Sequence, residues 1–375
     1  MTCSKKTGLY IHIPFCRSKC SYCDFYSKIE SESTVSDYVS AVISEIKSRE
    51  RFSQYISGNL LIDTIYFGGG TPSLLSCDDF SRLMRAIREN TTVTDDCEIT
   101  VECNPSSVSS QLFDTYKKTG VNRVSIGLQS AIDEERKILG RVGTKKDVTK
   151  AIELCKKSGI DNISLDVMLA IPNQTEKSLC KTLSFCNESG ALHISAYILK
   201  IEKGTLLYDT KKELNLPDEE KVCSLYELCC DKLFEYGFQQ YEISNFAKDS
   251  FCSRHNLKYW TLEDYIGIGP AAHSFFGGKR FYFPPDTKLF IDGIQPISDG
   301  FGGGIDEYIM LNLRLSQGID LDEMSRRYGI ESVTKIKEKA IEFIPDCLLE
   351  IHKNRLYLTR KGFLLSNTII SELIN

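Results

Sequence analysis

The chain has 375 residues, of which 42% are hydrophobic and 26% charged, and its 46 basic and 51 acidic side chains give a formal net charge of -5. Because domains typically hold about 100–200 residues, this composition indicates a globular protein of two or three domains. The slight acidity gives no reason to expect nucleic acid as a partner, or more than peripheral contact with a membrane.

Neither a membrane span nor a signal peptide is expected. The longest apolar stretches, such as Ala191–Leu199, are shorter than the roughly 18–20 residues that cross a bilayer. The N-terminus is short and basic, but the segment Gly8–Cys16 contains His12 and Pro14 and has no cleavage-type end. We therefore expect a cytoplasmic protein. Its 15 cysteines are then interpreted as reduced thiols with a metal site among them, not as a disulfide scaffold.

Strand-like and helix-like segments alternate through the first two-thirds of the chain. The predicted strands are Gly8–Pro14, Asp63–Phe67, Glu98–Glu102, Arg123–Leu128, Asn162–Leu169 and His193–Lys200. The predicted helices are Ser36–Arg51, Asp78–Glu89, Ser109–Thr119, Lys146–Ser158, Glu176–Asn187 and Asp218–Tyr236. Six such units predict an α/β fold, an open or partial (β/α)6 barrel with a parallel sheet and helices outside it. In such barrels the chemistry lies on loops at the C-terminal ends of the strands.

The pattern changes after the sixth unit. Residues 1–237 are predicted to form the barrel core, and residues 238–304, rich in aromatic residues, glycine and proline, to form strands and loops that cover one end of the barrel. Residues 305–375 are predicted to form a small helical, winged-helix-like domain, with a strand and turn at Arg355–Leu365. Such domains often bind DNA, but this one holds 10 basic and 11 acidic side chains, so a docking role is expected instead.

The strongest chemical signal is the Cys-x3-Cys-x2-Cys pattern of Cys16, Cys20 and Cys23 after the first predicted strand. Three thiolates within eight residues can bind one inorganic centre, whereas so short a loop cannot easily supply a fourth ligand. Structural zinc usually has four ligands, so a zinc site would need a further residue such as His12. A [4Fe-4S] cluster held by three cysteines leaves one iron open, as a cofactor-activating centre requires. Zinc and three incidental cysteines are the alternatives.

The cysteine loop and the segments after it resemble the radical S-adenosylmethionine (SAM) superfamily, and within it the family of the oxygen-independent coproporphyrinogen III oxidases (HemN) and the heme chaperones (HemW). The resemblance covers nearly the whole chain in collinear order. The matching segments are Tyr10-Ile-His-Ile-Pro-Phe-Cys16, Gly68-Gly-Gly70-Thr-Pro72, Glu102-Cys-Asn-Pro105, Ser125-Ile-Gly-Leu-Gln129, Leu139-Gly-Arg141, Leu165-Asp166, Ile171-Pro-Asn-Gln174 and His255-Asn-Leu-Lys-Tyr259-Trp260.

This resemblance implies a [4Fe-4S] cluster on the three cysteines and SAM bound to the open iron through its amino and carboxylate groups. It implies that a glycine turn approaches the amino-acid end of SAM and that a carboxylate holds the ribose. The residues implied to contact SAM are Tyr10, Gly69, Gly70, Thr71, Glu102, Gln129, Arg141 and Asp166. Structural alternatives are ordinary turn glycines, a surface ion pair at Arg141, and loop-capping carboxylates at Glu102 and Asp166.

Two departures from the oxidase pattern favour the chaperone group. The oxidases typically carry a fourth cysteine two residues after the third, where this chain has Phe25, and a longer segment before the position of Tyr10. The chaperones use an H-N-x-x-Y-W pattern for heme, which implies heme contacts at His255, Asn256, Tyr259 and Trp260. Imidazole is a common axial heme ligand. The alternative is that His255 and Trp260 only pack a loop over the barrel mouth.

The family pattern is locally altered at two places. Its Arg-x-His is Arg141-Val-Gly143 here, and its Tyr-Gly-Leu-Pro is Leu169-Ala-Ile-Pro172. His273 and Cys252 are further candidates for heme contact. We predict a heme chaperone that binds a [4Fe-4S] cluster, SAM and heme and passes heme to acceptor proteins, with an electron donor protein as a further partner. The alternatives are a coproporphyrinogen III oxidase and a zinc-stabilised binding protein without enzymatic activity.

Overall fold

Six parallel strands form the centre of one twelve-stranded sheet in the computed structural model, which describes residues 5–48 and 60–374. The strands are β1 Lys6–Ile13, β2 Leu61–Gly69, β3 Thr92–Cys103, β4 Arg123–Gln129, β5 Asn162–Leu169 and β6 His193–Ile198. They lie in chain order, each hydrogen-bonded to the next. All six predicted strands are therefore confirmed, and β5 has the predicted bounds.

Helices follow these strands; the six predicted helices are present, and two short helices, Asp133–Ile138 and Leu206–Thr210, were not predicted. The helices are α1 Glu32–Lys47, α2 Cys77–Asn90, α3 Ser110–Thr119, α4 Asp133–Ile138, α5 Lys145–Lys157, α6 Glu176–Glu188, α7 Leu206–Thr210 and α8 Glu219–Glu235. Local sequence sets their ends: Ser76 caps α2 by accepting a hydrogen bond from the Asp79 N–H, and Gly120 ends α3 at a φ of 96°. The end of the first predicted helix, at Arg51, lies outside the described residues.

The two faces of the sheet differ in chemistry because side chains alternate along each strand. The outer face is apolar and packs against the helices, as shown by the buried residues Ile11, Ile65, Val101, Ile126, Leu165 and Ile194. The inner face carries polar side chains: Tyr10, Thr64, Tyr66, Glu102, Ser125, Asp166 and Ser195. The concave interior of the fold is thus a polar chamber, and its chemistry depends on which groups neighbour one another across the strands.

Residues 238–304 extend the sheet at both edges, and the expectation that they also cover one end of the barrel stays a prediction. They form β7 Gln239–Gln240, β8 Asn245–Ala247, α9 Arg254–Trp260, β9 Tyr265–Ile268, β10 His273–Phe276, β11 Lys279–Tyr282, α10 Thr287–Ile291 and β12 Ile297–Phe301. β8 pairs antiparallel with β6, whereas β9 pairs parallel with β1. The sheet runs from β12 to β7 without pairing of these two strands, which confirms the open barrel.

The C-terminal region is helical with a small sheet, as predicted. It contains α11 Ile305–Asn312, β13 Ile319–Asp320, α12 Leu321–Tyr328, α13 Ile330–Ala340, β14 Leu349–His352, β15 Arg355–Leu358, α14 Arg360–Leu364 and α15 Ser366–Ile374. The three strands form an antiparallel wing. Its apolar core also includes Tyr265 and Phe275 from the large sheet. The boundaries proposed at residues 237 and 304 stay predictions. Across the described ranges, no helix combines the length and the hydrophobicity that a membrane span requires.

Candidate functional site

The loop that carries the three cysteines follows β1 and is tied to the barrel at several points. The Cys16 N–H donates to the Lys28 carbonyl at 2.9 Å, and the Lys28 N–H donates back to the Pro14 carbonyl at 2.7 Å. Ser21 is anchored on the far side, where its hydroxyl donates to the Ile138 carbonyl at 2.9 Å. The loop is therefore fixed at its base and at its tip, and the half-buried cysteines lie between these anchors.

The three thiols are free and are approached by polar groups from other loops. Cys16 Sγ lies 3.4 Å from the Thr71 hydroxyl, and Cys20 Sγ accepts a hydrogen bond from Arg141 Nη1 at 3.5 Å. Burial raises the pKa of Cys23 to about 11. A thiolate at that position therefore requires compensating positive charge, which an iron–sulfur centre would provide. The donor set fits a cluster held by three cysteines.

The structure does not support the zinc alternative. Both His12 ring nitrogens are already hydrogen-bonded: Nδ1 lies 3.0 Å from the Tyr10 hydroxyl, and Nε2 lies 2.9 Å from the Tyr26 carbonyl oxygen. Within the described ranges, no three His, Cys, Asp or Glu side chains converge closely enough to hold a single metal ion. Tetrahedral zinc would draw its sulfur ligands to about 4 Å from one another, whereas a four-iron cluster holds its thiolates farther apart.

The glycine turn at the end of β2 packs directly against the cysteine loop. Gly69 has a φ of 107°, and a Cβ placed there would lie 2.5 Å from the His12 ring. A Cβ on Gly70 would lie 2.7 Å from the Phe15 carbonyl oxygen. The N–H groups of Gly69 and Gly70 donate to Glu102 and Ile13. Since both donors are used within the protein, we expect this turn to offer carbonyl acceptors, which suit an ammonium group.

Two half-buried carboxylates, Glu102 and Asp166, face the interior beside this turn. Glu102 accepts hydrogen bonds from the Tyr66 hydroxyl at 2.8 Å and from the Gly69 N–H at 3.2 Å. Burial, and then the negative charge of Asp166, raise the pKa of Glu102 to about 7. Burial also raises the pKa of Asp166, which accepts a hydrogen bond from Ser125 at 3.0 Å. Strongly perturbed carboxyl groups in a polar interior are typical of functional sites.

The remaining implied SAM residues lie at the same end of the barrel. Gln129, the last residue of β4, is buried and has a φ of 65°, and such strained conformations cluster at functional sites. Arg141 follows α4 and donates to the Gly127 carbonyl at 3.0 Å, while its buried Nε has no hydrogen-bond partner among the described residues. Tyr10 is half-buried on β1, next to His12. Of the eight implied SAM residues, Tyr10, Glu102 and Asp166 thus lie on the inner face of strands, and the other five lie at strand ends or on loops.

The H-N-x-x-Y-W motif forms α9, and His255 points into the barrel. The Glu98 carboxylate accepts hydrogen bonds from the His255 and Arg254 N–H groups, each at 3.1 Å. The His255 ring is 0% exposed, with Nδ1 2.8 Å from the Thr64 hydroxyl and Nε2 2.9 Å from the Tyr259 hydroxyl. Burial, with the positive charges of Lys258 and Arg123, lowers its pKa to about 3. In this conformation, therefore, His255 has no free nitrogen for a heme iron.

The hydrogen bond to Thr64 places His255 beside the middle of β2. The alternative that the motif only packs over the barrel mouth stays a prediction. Thr64 lies four residues before Gly68 on β2, which is about 13 Å along the strand from the glycine turn. Asn256, Tyr259 and Trp260 are half-buried on the same short helix. Among the other heme candidates, His273 is exposed and stacks on Tyr282, with ring centroids 5.1 Å apart. Cys252 is half-buried just before the motif, and burial raises its pKa.

Four interior residues were missed by the sequence reasoning. Tyr66 and Thr64 precede the glycine turn, Glu98 precedes Glu102, and Tyr22 lies between two of the cysteines. Each lies within a few residues of a recognised motif in the sequence, and this short separation is the signal by which it could be identified. Burial raises the pKa of Tyr22, whose ring lies among Arg141, Cys20 and Cys23.

Comparisons with known proteins relate the whole chain to radical SAM proteins of one family. A sequence profile described as the Radical SAM superfamily matches residues 10–186, and one described as the HemN C-terminal domain matches residues 305–365. The chain is 34% identical to a heme chaperone HemW of Bacillus subtilis (strain 168), over 97% of this chain and 98% of the relative. Identity to the heme chaperone HemW of Haemophilus influenzae is 37%, over 97% and 96% of the two chains.

A solved structure shares the fold. The coproporphyrinogen III oxidase HemN of Escherichia coli, described as a radical SAM enzyme, matches with a TM-score of 0.83 at 20% identity, over 99% of this chain and 90% of the other. Membership of the radical SAM superfamily implies a [4Fe-4S] cluster and SAM as cofactors. With full-length relatives above 30% identity, the chain belongs to the HemW family of radical SAM proteins.

Proposed function

We propose that this protein is a heme chaperone that binds a [4Fe-4S] cluster, SAM and heme, and that it transfers heme to acceptor proteins. The observation that carries this proposal is the end-to-end similarity to relatives named heme chaperones. The loop residue Phe25 supports the same choice within the family. It stands where the oxidases typically carry a fourth cysteine, and its ring is 64% exposed.

The proposed cluster ligands are Cys16, Cys20 and Cys23. When bound, the cluster would supply single electrons to SAM. The protein's own contribution is orientation and charge compensation. Arg141 donates a hydrogen bond to Cys20, and the Thr71 hydroxyl lies beside Cys16.

The proposed SAM site combines the glycine turn and nearby loops with side chains that line the polar chamber. It comprises Tyr10, Gly69, Gly70, Thr71, Glu102, Gln129, Arg141 and Asp166. Carbonyl groups of the glycine turn would accept hydrogen bonds from the SAM amino group, and Asp166 would accept them from ribose hydroxyls. The raised pKa of Glu102, about 7, means that the free protein holds this carboxyl partly protonated at neutral pH. A cationic ligand nearby would favour its ionised form.

The proposed heme site comprises His255, Asn256, Tyr259 and Trp260. A pKa of about 3 keeps the His255 ring neutral at cellular pH, so protons do not compete with iron for its nitrogens. Ligation requires that either the Thr64 or the Tyr259 hydrogen bond be broken. We therefore propose that heme binds to a rearranged position of α9. His273, exposed on β10, is the second candidate ligand.

An electron donor and the heme acceptors are proposed as protein partners. The test uses anaerobically purified protein with a reconstituted cluster. It is first offered SAM, a reductant and coproporphyrinogen III, and is then titrated with hemin and mixed with an apo-globin. We expect no decarboxylation, about one hemin bound per chain, and transfer of that hemin to the globin. Multiple turnovers to protoporphyrinogen IX, or no saturable hemin binding, would contradict the proposal.

A further inference from the structure

An unbroken series of contacts joins His255 to the glycine turn through the interior of the barrel. The His255 ring stacks on Tyr66, with centroids 5.3 Å apart and ring planes at 29°. The Tyr66 hydroxyl donates to Glu102 Oε1 at 2.8 Å, and Glu102 Oε2 accepts from the Gly69 N–H at 3.2 Å. Tyr66 thus contacts His255 of the H-N-x-x-Y-W motif with its ring, and its hydroxyl is linked to the glycine turn through Glu102.

The contacts between Tyr66 and the glycine turn are closely packed. A Cβ on Gly68 would lie 2.9 Å from a ring carbon of Tyr66 and 3.1 Å from both Glu102 Oε1 and a ring carbon of Tyr10. The backbone of the turn is therefore in close contact with all three side chains. Because close-packed interiors transmit displacements, we expect a shift of the Tyr66 ring to be passed on to Glu102, its hydrogen-bond partner, and to the neighbouring turn.

The contacts around His255 are equally close. A Cβ on Gly8 of β1 would lie 3.1 Å from His255 Cε1 and 3.0 Å from both Lys258 Cδ and the Thr64 hydroxyl. Lys258 also anchors α9 through an ion pair with Asp63 at 3.0 Å. This close packing opposes a movement of the His255 ring further into the barrel, so a ring movement that frees one of its nitrogens would carry it away from the strands and from Tyr66.

We propose that Tyr66 couples the heme motif to the SAM site, so that SAM binding and heme binding oppose each other. This inference rests on the proposed function. Heme ligation withdraws His255 from Tyr66 and loosens the position of Glu102 and the glycine turn. SAM holds that turn in place and thereby retains His255 in its stacked position. Coupling between two binding sites is reciprocal, so each ligand must weaken the other by the same factor. SAM would then favour release of heme to an acceptor.

The test measures both affinities on the same reconstituted protein with its cluster oxidised, so that SAM is not cleaved. Hemin binding is followed by difference spectra with and without SAM, and SAM binding by equilibrium dialysis with and without hemin. We expect each ligand to weaken the other at least about fivefold, the lower end of typical allosteric coupling. Unchanged or strengthened binding in the wild-type protein would overturn the proposal, and no variant is needed for that result.

Two matched variants then test the role of Tyr66. Tyr66→Phe keeps the ring but removes the hydrogen bond to Glu102, and it should reduce the coupling factor to nearly one while both ligands still bind. The control is Tyr226→Phe in α8, which removes another largely buried tyrosine hydroxyl. That hydroxyl donates to the Ile243 carbonyl at 3.1 Å, and its loss should leave the coupling factor at the wild-type value. Full coupling in a folded Tyr66→Phe protein would exclude Tyr66 as the link. Failure of hemin to bind at all, in contrast, would overturn the proposed function itself.

Discussion

Arg141 donates a hydrogen bond from Nη1 to the sulfur of Cys20 at 3.5 Å, although the two residues are 121 positions apart. The same guanidinium donates from Nη2 to the Gly127 carbonyl at 3.0 Å, which fixes its orientation. Arg141 is therefore held by β4 while it contacts the proposed cluster ligand Cys20. Hydrogen bonds to the sulfurs are one of the factors that set the potential of an iron–sulfur cluster.

Replacing Arg141 should change the cluster potential without removing the cluster. In Arg141→Ala a cationic donor to the Cys20 thiolate is lost, so the reduced, more negative cluster is less stabilised. We expect the midpoint potential to fall by about 60 mV, the one-electron equivalent of about 1.4 kcal/mol, at unchanged iron content. Redox titration followed by electron paramagnetic resonance measures this. Lys137→Ala, which removes an exposed charge from α4, should leave the potential unchanged, and an equal shift in both variants would contradict the specific contact.

Alanine at Cys16, Cys20 or Cys23 should abolish the cluster. Since the proposed site has only these three protein ligands, we expect loss of the broad absorption near 400 nm and of iron from about four atoms per chain to nearly none. The controls are Cys77→Ala and Cys155→Ala. The Cys155 thiol is fully buried and donates to the Ile160 carbonyl at 3.4 Å, so we do not expect it to be a cluster ligand. Retention of about four irons in the Cys20 variant would contradict the assignment.

His255→Ala should lower hemin affinity and shift the Soret band, while iron content and SAM binding stay near wild type. The comparison is Thr64→Val, which removes the hydrogen bond to Nδ1 but leaves the imidazole. Iron ligation must break either this hydrogen bond or the one to Tyr259. Hemin should therefore bind Thr64→Val as tightly as the wild-type protein, or more tightly. If His255→Ala binds hemin unchanged, His255 is a packing residue, and His273→Ala becomes the informative variant.

Buried histidines predict an acid-sensitive fold. Burial lowers the pKa of His193 well below 6.5, and its two nitrogens lie 2.8 Å from the Ser164 and Tyr241 hydroxyls. The unfolded chain binds a proton near pH 6.5 that the native chain does not, so this group's contribution to stability is complete above pH 6.5 and decreases below it. The difference in unfolding free energy between the wild-type protein and His193→Gln should therefore become smaller from pH 7.5 to pH 5. Below pH 6.5 it should fall by up to about 1.4 kcal/mol per pH unit. A deficit independent of pH in urea unfolding would contradict this.

No decarboxylation of coproporphyrinogen III is expected, even with a reduced cluster and bound SAM. The loop position at which the oxidases typically have a fourth cysteine holds the exposed Phe25. Product analysis for protoporphyrinogen IX after anaerobic incubation tests this. Phe25→Cys provides a comparison, because it restores the oxidase residue at that position. Catalytic turnover in the wild-type protein would favour the oxidase alternative.

The regular part of the fold could be predicted because its periodicity is strong. The strands from β1 to β6 carry apolar residues at alternating positions and are separated by segments of helical periodicity, and the predicted bounds of β5 agree with the structure. The cysteine loop and glycine turn could be recognised because their chemistry depends on spacing within a few residues. Their proximity in space follows from the rule that parallel strands end on the same side of a barrel.

The course of residues 238–304 could not be predicted in the same way. β7 and β8 contain two and three residues, and their pairing is decided by which sheet edge remains open, a tertiary property. The interior position of His255 had no sequence signal either. Both faces of a parallel sheet are covered, so alternation along β2 does not reveal that Thr64 and Tyr66 face the chamber. The motif specified which residue types occur on α9 but not where α9 packs.

The pairing of β1 with β9 has a consequence for biosynthesis. Gly8 is opposite Tyr265, more than 250 residues later in the chain, and the pairing is parallel. A nascent chain that has emerged only as far as β6 therefore leaves β1 as an uncovered edge strand, next to the loop that would receive the cluster. Contacts of such high sequence separation form slowly, and exposed edges favour aggregation. Ribosome-bound or truncated chains lacking residues 265–268 should accordingly depend on chaperones, and cluster insertion should become efficient only after this strand has joined the sheet.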